Sequence, residues 1–243
     1  MNSETVAKLL KLNHQFYQTF ALQFSATRER LQPGVQRILE RIHPKTHILD
    51  LGCGNGELAR ELVRRQHHGT YIGLDFSETL IQEAKRRFHQ TPGNGFVFLP
   101  ADLSTPDWDR DLPRRQFDFI LAFAVLHHLP GEYLRRQVVQ KVRLLLVPQG
   151  QFIHSNWQFL NSPRLRKRIQ PWESLGMSAS DVDPNDYLLD WRRGGHGLRY
   201  VHHFSEKQLD ALASATGFRR VESFYSDGHG GRLGHYQIWE PAD

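Results

Sequence analysis

The sequence predicts an α/β protein with a doubly wound, mostly parallel sheet, and three observations lead to this fold class. Short apolar segments alternate with amphipathic helical segments over residues 45–156, which is the pattern of parallel strands with helical crossovers. The first apolar segment, 47–51, leads into a loop with glycine at every second position, Gly52, Gly54 and Gly56, and then into a helix. Near the C-terminus, two strand-like segments joined by a glycine-rich turn predict an antiparallel strand at the sheet edge. The predicted architecture is therefore Rossmann-like.

Hydrophobic periodicity and capping residues place the individual elements along the chain. Ser77 is a predicted helix N-cap and Gly217 a predicted C-cap. Helices are predicted over residues 2–25, 34–42, 57–65, 77–88 and 205–216. Another helix is predicted after residue 129 and ends at residue 146. Strands are predicted over residues 47–51, 70–75, 96–99, 117–123, 151–155, 219–225 and 235–239.

These elements predict one domain in four parts. An N-terminal helical cap (1–44) precedes a ligand-binding core (45–156), and a C-terminal helix and hairpin (205–243) complete the sheet. Between them lies a long insertion, 157–204, which follows the last parallel strand. Because it leaves from the carboxyl end of the sheet, we expect it to cover the active site.

Composition narrows the function classes. Of the 243 residues, 39% are hydrophobic and 23% are charged, as in an ordinary soluble protein. A single cysteine excludes an internal disulfide or a cysteine-based zinc site, which favours a cytoplasmic location. No apolar run is long enough for a membrane span, and the N-terminal segment is unlike a signal peptide. The net charge of +5 fits either nucleic-acid binding or a solvated basic surface.

Acidic residues mark the ends of the first three predicted strands. Asp50 ends the first, Asp75 ends the second 19 residues after Gly56, and Asp102 follows the third. Because parallel strands end at the same edge of a sheet, these acids should meet around one ligand. An acid at the end of the second strand can accept both hydroxyls of a ribose. A nicotinamide dinucleotide fits less well, because its third glycine would fall where Glu57 stands.

Together these features resemble the class I S-adenosylmethionine-dependent methyltransferases over residues 45–156. The resemblance implies S-adenosyl-L-methionine as cofactor and no metal. It also implies which residues contact each part of the cofactor. Gly52, Gly54 and Gly56 would line the methionine part with Asp50 beneath it, and Asp75 would bind the ribose, with Phe76 next to it in the chain. Asp102 would face the adenine amine with Leu103 against the ring, and Phe123 and Ala124 would lie beside the sulfonium.

The adjacent histidines His127 and His128 follow the fourth strand, and two interpretations stay open. They can be a helix start with one ring packed and the other solvated, or they can contact the substrate. Metal ligation by the pair is not expected, because adjacent side chains point apart.

Four further segments resemble the tRNA methyltransferases that esterify a carboxymethyl group on the wobble uridine: Phe24–Arg28, Val125–His128, Asp186–Trp191 and Arg199–Phe204. That family usually has proline where Asp190 stands. The resemblance implies tRNA as a partner, a small zinc-containing activator protein at the sheet edge, and no membrane. The groups expected to orient the acceptor are Arg28, Arg199 and one of His128 and His202, although each arginine can instead form a surface salt bridge. The candidate substrate-binding residues are Tyr17, His127, Trp191 and Tyr200, and the two tyrosines can instead be core residues.

The expected chemistry is methyl transfer to a carboxylate oxygen. A carboxylate is ionised at neutral pH and needs no strong base, while arginine offers it a matching bidentate donor. Two alternatives remain: a small-molecule carboxylate or phenolate O-methyltransferase, and a non-catalytic module that binds the cofactor and acts through a partner. The basic run 164–168 predicts either a phosphate-binding track or a solvated helix face.

Overall fold

The computed structural model describes residues 1–25, 30–88 and 95–242. Within these ranges the strands are β1 (Ile48–Leu51), β2 (Tyr71–Asp75), β3 (Phe96–Pro100), β4 (Phe117–Phe123), β5 (Leu146–Trp157), β6 (Ile169–Gln170), β7 (Asp186–Trp191), β8 (Gly197–His202), β9 (Phe218–Ser226) and β10 (Gly234–Pro241). The helices are α1 (Ser3–Ser25), α2 (Pro33–Leu39), α3 (Glu57–Arg64), α4 (Glu78–Phe88), α5 (Glu132–Leu145), α6 (Pro163–Arg166) and α7 (Glu206–Ala215).

The large sheet has the strand order β3-β2-β1-β4-β5-β10-β9. Strands β1 to β5 pair in parallel, and β10 pairs antiparallel with both β5 and β9. This confirms the predicted doubly wound sheet with an antiparallel C-terminal edge. The predicted turn at residues 91–95 lies almost wholly outside the described residues.

Helices pack against both faces of this sheet, which explains why its parallel strands read as continuous apolar runs. Leu49 and Leu51 of β1 belong to one core cluster, together with residues of α5 and α7. Ile48 belongs to a second cluster on the opposite face, with residues of α2, α3 and α4. Strand alternation therefore fixes which face each helix covers.

The insertion contains a small antiparallel sheet, β6-β7-β8, which the sequence did not predict. Residues of β7 and β8 share a core cluster with Trp157 at the end of β5, and the small sheet also packs against α1. Gly197 permits this approach, because a Cβ atom there would lie 2.5 Å from the Phe20 ring. Asn13 fastens the helix to β8: its Oδ1 accepts from the Tyr200 amide at 2.8 Å and its Nδ2 donates to the Tyr200 carbonyl at 3.2 Å. Helix α1 is thus held between the insertion and the core.

Among the helices in the described part of the chain, none combines the length and the hydrophobicity required to cross a membrane.

Candidate active site

A cavity of about 210 Å³ lies between α1 and the carboxyl ends of the parallel strands. All of the predicted cofactor residues except Gly56 border it. From α1, the residues Leu10, Asn13, His14 and Tyr17 form the opposite wall. Their spacing of three and four residues means that one face of the helix roofs the cavity.

Asp75 holds the glycine loop that follows β1. Its Oδ2 accepts from the Gly54 amide at 3.0 Å, and its Oδ1 accepts from the Ser77 amide at 2.9 Å. Burial raises the pKa of Asp75 to about 6, although both amide hydrogen bonds act to lower it. Gly52 has a φ of +74°, and a Cβ atom there would lie 2.5 Å from Val125. Both the conformation and the close approach therefore require glycine.

Asp50 is the second buried acid of the cavity wall. Tyr71 donates its hydroxyl to Asp50 Oδ2 at 2.6 Å, and the carboxyl group is only 3% exposed. Burial raises the pKa of Asp50 to about 7, and the nearby charge of Asp75 adds to this shift. The wall thus holds two carboxyl groups whose ionised forms a cationic ligand would stabilise.

Asp102 differs from both, because it has several donors. Its Oδ1 accepts from the Ser104 amide at 2.8 Å and from the Ser104 hydroxyl at 2.7 Å, while His14 Nε2 lies 3.3 Å from Oδ2. Partial burial raises the pKa of Asp102, but the hydrogen bonds from His14 and Ser104 outweigh it and lower the pKa below the usual value. Asp102 is therefore a fixed, ionised acceptor at the cavity wall.

Ala124 follows β4 in a left-handed conformation, with a φ of +59°. Its amide donates to the carbonyl of Ser155 at 3.0 Å and to the Ser155 hydroxyl at 3.1 Å. A non-glycine residue with such a φ is uncommon and is often found at functional sites. Ser155 was not predicted from the sequence, because its partner is distant in the chain.

On the other side of the cavity, Tyr17 and His128 form a hydrogen-bonded pair. The Tyr17 hydroxyl lies 2.7 Å from His128 Nε2, and His128 Nδ1 lies 3.2 Å from the Tyr200 carbonyl. Because a carbonyl oxygen only accepts, Nδ1 has the proton, and in the neutral ring Nε2 accepts from Tyr17. His127 instead is buried, and its Nδ1 accepts from the Trp157 amide at 3.3 Å.

The predicted acceptor residues of the insertion do not border the cavity. The Arg199 guanidinium is buried beside aromatic rings, 4.7 Å from the Trp157 ring and 5.7 Å from the Trp191 ring. Tyr200 and His202 are buried around Asp186 and bond its Oδ1 at 2.7 and 2.6 Å. Because β8 directs these side chains into the packing between α1 and the small sheet, they do not line this cavity, and their role at the acceptor stays a prediction.

Two further predicted residues are Gly56 and Arg28. Gly56 does not line the cavity: a Cβ atom there would lie 3.2 Å from Ala84 and 3.3 Å from Phe98, so this glycine permits close packing at the start of α3. Arg28 lies outside the described residues.

Several residues of the site had escaped prediction. His14 and Asn13 border the cavity from α1, and Asn55 donates to the Ser25 hydroxyl at 2.6 Å where that helix ends. The available indication was helical spacing, because His14 lies three residues before Tyr17 on the same face.

Comparison with known proteins identifies the family. A protein-family model described as a methyltransferase domain matches residues 24–223. The chain belongs to this methyltransferase family. The tRNA (carboxymethyluridine(34)-5-O)-methyltransferase of Schizosaccharomyces pombe is 31% identical over 234 residues, which cover 87% of this chain and 90% of the relative. The methyltransferase described here is thus an enzyme that uses S-adenosylmethionine.

Solved structures agree with the fold. A Burkholderia thailandensis 1,6-didemethyltoxoflavin-N1-methyltransferase, solved with S-adenosylhomocysteine, has a TM-score of 0.67 and 18% identity, covering 100% of this chain and 92% of its own. A methyltransferase from Haloferax volcanii, solved in complex with the Trm112 methyltransferase activator, has a TM-score of 0.66 and 14% identity, covering 93% and 96%. At these identities the likeness concerns the fold alone.

The donors and acceptors of the cavity fit S-adenosylmethionine. This cofactor supplies a methyl group on a positively charged sulfur, and it has an ammonium group and a ribose diol. The buried acids Asp50 and Asp75 provide negative charge and hydroxyl acceptors in a wall of low polarity.

Proposed function

We propose that the methyltransferase esterifies the carboxylate of a carboxymethyl group on the modified wobble uridine of tRNA. The observation that supports this most strongly is the Schizosaccharomyces pombe relative, because the similarity extends over nine-tenths of its length and so includes the insertion. The methyl group passes from the cofactor sulfonium to a carboxylate oxygen, and S-adenosylhomocysteine leaves.

In this proposal, different cavity residues bind different parts of the cofactor. Asp75 accepts the ribose hydroxyls, Asp102 accepts the adenine amine, and Asp50 stabilises the positive charge of the methionine part. The left-handed Ala124 would lie beside the sulfonium of a bound cofactor. All four of these residues border the cavity.

The acceptor lies on the side of Tyr17 and His128. A carboxylate arrives already ionised, so the enzyme needs to remove water and orient the oxygen rather than abstract a proton. Tyr17 has a hydroxyl at the cavity wall whose direction is set by His128. Arg199 acts one step further out, as a buried cation that fixes the aromatic rings around it.

The charge distribution at the start of the insertion favours a polyanionic substrate. No acidic residue occurs between Glu132 and Glu173, whereas the exposed residues Arg164, Arg166 and Lys167 fall in this stretch. Within the described part of the chain, none of these three has a carboxylate within 4.0 Å. A basic patch without acidic neighbours suits a phosphate backbone.

Matched substitutions separate a phosphate-binding track from a solvated helix face. Replacing Arg164, Arg166 and Lys167 together with alanine should weaken tRNA binding and reduce the dependence of log Kd on log salt concentration by about 2. The measurement is fluorescence anisotropy of labelled tRNA between low and moderate salt. Cofactor affinity should not change.

The control for this triple variant replaces Arg64, Arg65 and Arg86, which are paired with Glu61 and Glu83 on α3 and α4. It removes the same formal charge and should leave the salt dependence nearly unchanged. Equal effects of the two triple variants would mean that only net charge matters, and the phosphate track would be rejected.

The function itself is tested with undermodified tRNA and isotopically labelled S-adenosylmethionine. Mass spectrometry of the digested nucleosides should find the label as a methyl ester on carboxymethylated uridine. Label that enters only small carboxylic acids or phenols would favour a small-molecule O-methyltransferase, and binding without transfer would favour a non-catalytic module.

The assay should include a small zinc-containing activator, because we infer a partner at the edge of the sheet. Strand β3 is an edge strand whose outer backbone groups pair with no other strand among the described residues. Full activity of the chain alone would remove the activator from the proposal while leaving the reaction intact.

A further inference from the structure

His14, Phe76 and Asp102 meet at one end of the cavity, although they come from α1, the end of β2 and the loop after β3. The His14 ring stacks on the Phe76 ring with centroids 4.6 Å apart and planes inclined by 23°. The same His14 ring brings Nε2 within 3.3 Å of Asp102 Oδ2. All three side chains border the cavity. Helix α1 of the N-terminal cap therefore contributes a side chain to the cavity at the carboxyl ends of the parallel strands.

This contact completes the set of donors around Asp102. Ser104 occupies Oδ1 with both its amide and its hydroxyl, and His14 approaches Oδ2. A carboxylate held at both oxygens has a defined plane, and its remaining lone pairs have defined directions. Without His14, Oδ2 would have no donor among the described residues, and the orientation of the group would depend on Ser104.

The position of His14 is determined by contacts elsewhere on α1. Asn13, the preceding residue, bonds both backbone groups of Tyr200 in β8. Tyr17, one turn later, bonds His128 on the acceptor side. One face of a single helix thus contacts the insertion, the acceptor side and Asp102, and His14 is its contact with Asp102.

We propose that His14 is a positioning residue of the adenine subsite, which orients Asp102 to accept from the purine 6-amino group. Selection of an adenine cofactor then depends on a residue of the N-terminal helix and not only on the strand ends. The proposal rests on the cofactor and on the role given to Asp102, and it is independent of the methyl acceptor.

The test compares two ligands that differ at one position of the purine. S-adenosylhomocysteine has an amino group at C6, whereas S-inosylhomocysteine has an oxo group there that cannot donate to a carboxylate. Titration calorimetry on the wild type should give at least tenfold tighter binding of the adenine ligand. His14→Ala should weaken adenine binding about five- to tenfold, the effect of one hydrogen bond, and inosine binding by less than twofold.

Two further variants make the result specific. His14→Phe keeps a ring to stack on Phe76 but removes the donor, and it should lose the preference for adenine as His14→Ala does. In an Asp102→Asn background, His14→Ala should have little further effect, because the two residues act through one contact. Lys11→Ala changes an exposed residue of the same helix and is the control for folding.

Three results would overturn the proposal. Equal weakening of both ligands by His14→Ala would indicate a role only in packing α1. Unchanged binding of both ligands would exclude His14 from the subsite. Full retention of the adenine preference by His14→Phe would exclude the hydrogen bond to Asp102 as the cause. None of these measurements uses an acceptor, so they are unaffected if tRNA is not the substrate.

Discussion

Replacing Asp75 with alanine should weaken the binding of S-adenosylmethionine by tenfold or more. Under the proposed assignment, the variant loses a charge-assisted hydrogen bond to the ribose, which contributes about 1.5–3 kcal/mol. It also releases the Gly54 amide, so the glycine loop loses one of its fixed points. Titration calorimetry with S-adenosylmethionine and S-adenosylhomocysteine would measure both losses together.

The asparagine variant separates the two contributions. Asp75→Asn keeps one oxygen to accept from Gly54 or Ser77 but removes the charge, and we expect an affinity between those of wild type and Asp75→Ala. Asp107→Ala, at an exposed aspartate, should bind like the wild type. Wild-type affinity in Asp75→Ala would show that Asp75 is only a structural residue of the loop.

The features of this site that depend on residues close together in the sequence could be predicted from the sequence. The glycine loop and Asp50 lie within one strand–loop–helix unit, and their roles follow from local spacing. Asp75 and Asp102 follow from the rule that parallel strands end at one edge of the sheet. In each case, the residue's position along its strand was enough to place it at the cavity.

The features that escaped prediction depend on contacts between distant parts of the chain. Strands β7 and β8 are buried on both faces in part of their length, so they lack the alternation that identifies a strand. His14 meets Asp102 across 88 positions of sequence, and a single histidine on a helix has no local signature. Arg199 lies on a strand, but the face to which it points is decided by how β8 pairs with β7 and packs on α1.

The buried charge of Asp50 should lower the free energy of unfolding by a measurable amount. The pKa of Asp50 is raised from 3.8 to about 7, so well below pH 3.8 the carboxyl is protonated in both the folded and the unfolded protein. As the pH rises toward 7, the unfolded chain loses this proton first, and the native state becomes less stable relative to it. Above pH 7 the difference is complete, and about three pKa units correspond to a cost on the order of 4 kcal/mol.

Asp50→Asn should therefore stabilise the cofactor-free protein at pH 8.5, raising its unfolding temperature by roughly 8–16 °C, and should have little effect at pH 4. The asparagine oxygen can still accept from the Tyr71 hydroxyl, so the main change is the loss of the buried charge. Differential scanning fluorimetry across this pH range would measure the effect, with Asp107→Asn as the control. A variant that is less stable than the wild type at every pH would contradict the argument.

Saturating S-adenosylmethionine should reduce this advantage. Under the proposed assignment, the positive charge of the cofactor stabilises ionised Asp50 but gains little from asparagine, so the wild type binds more tightly. The stabilisation by a ligand grows with the logarithm of its concentration divided by its Kd. The wild type, which has the lower Kd, should therefore gain more stability from the same cofactor concentration. Asp50 would then destabilise the empty enzyme, and the bound cofactor would stabilise its ionised form. If cofactor raised the unfolding temperature of Asp50→Asn as much as that of the wild type, this role would be contradicted.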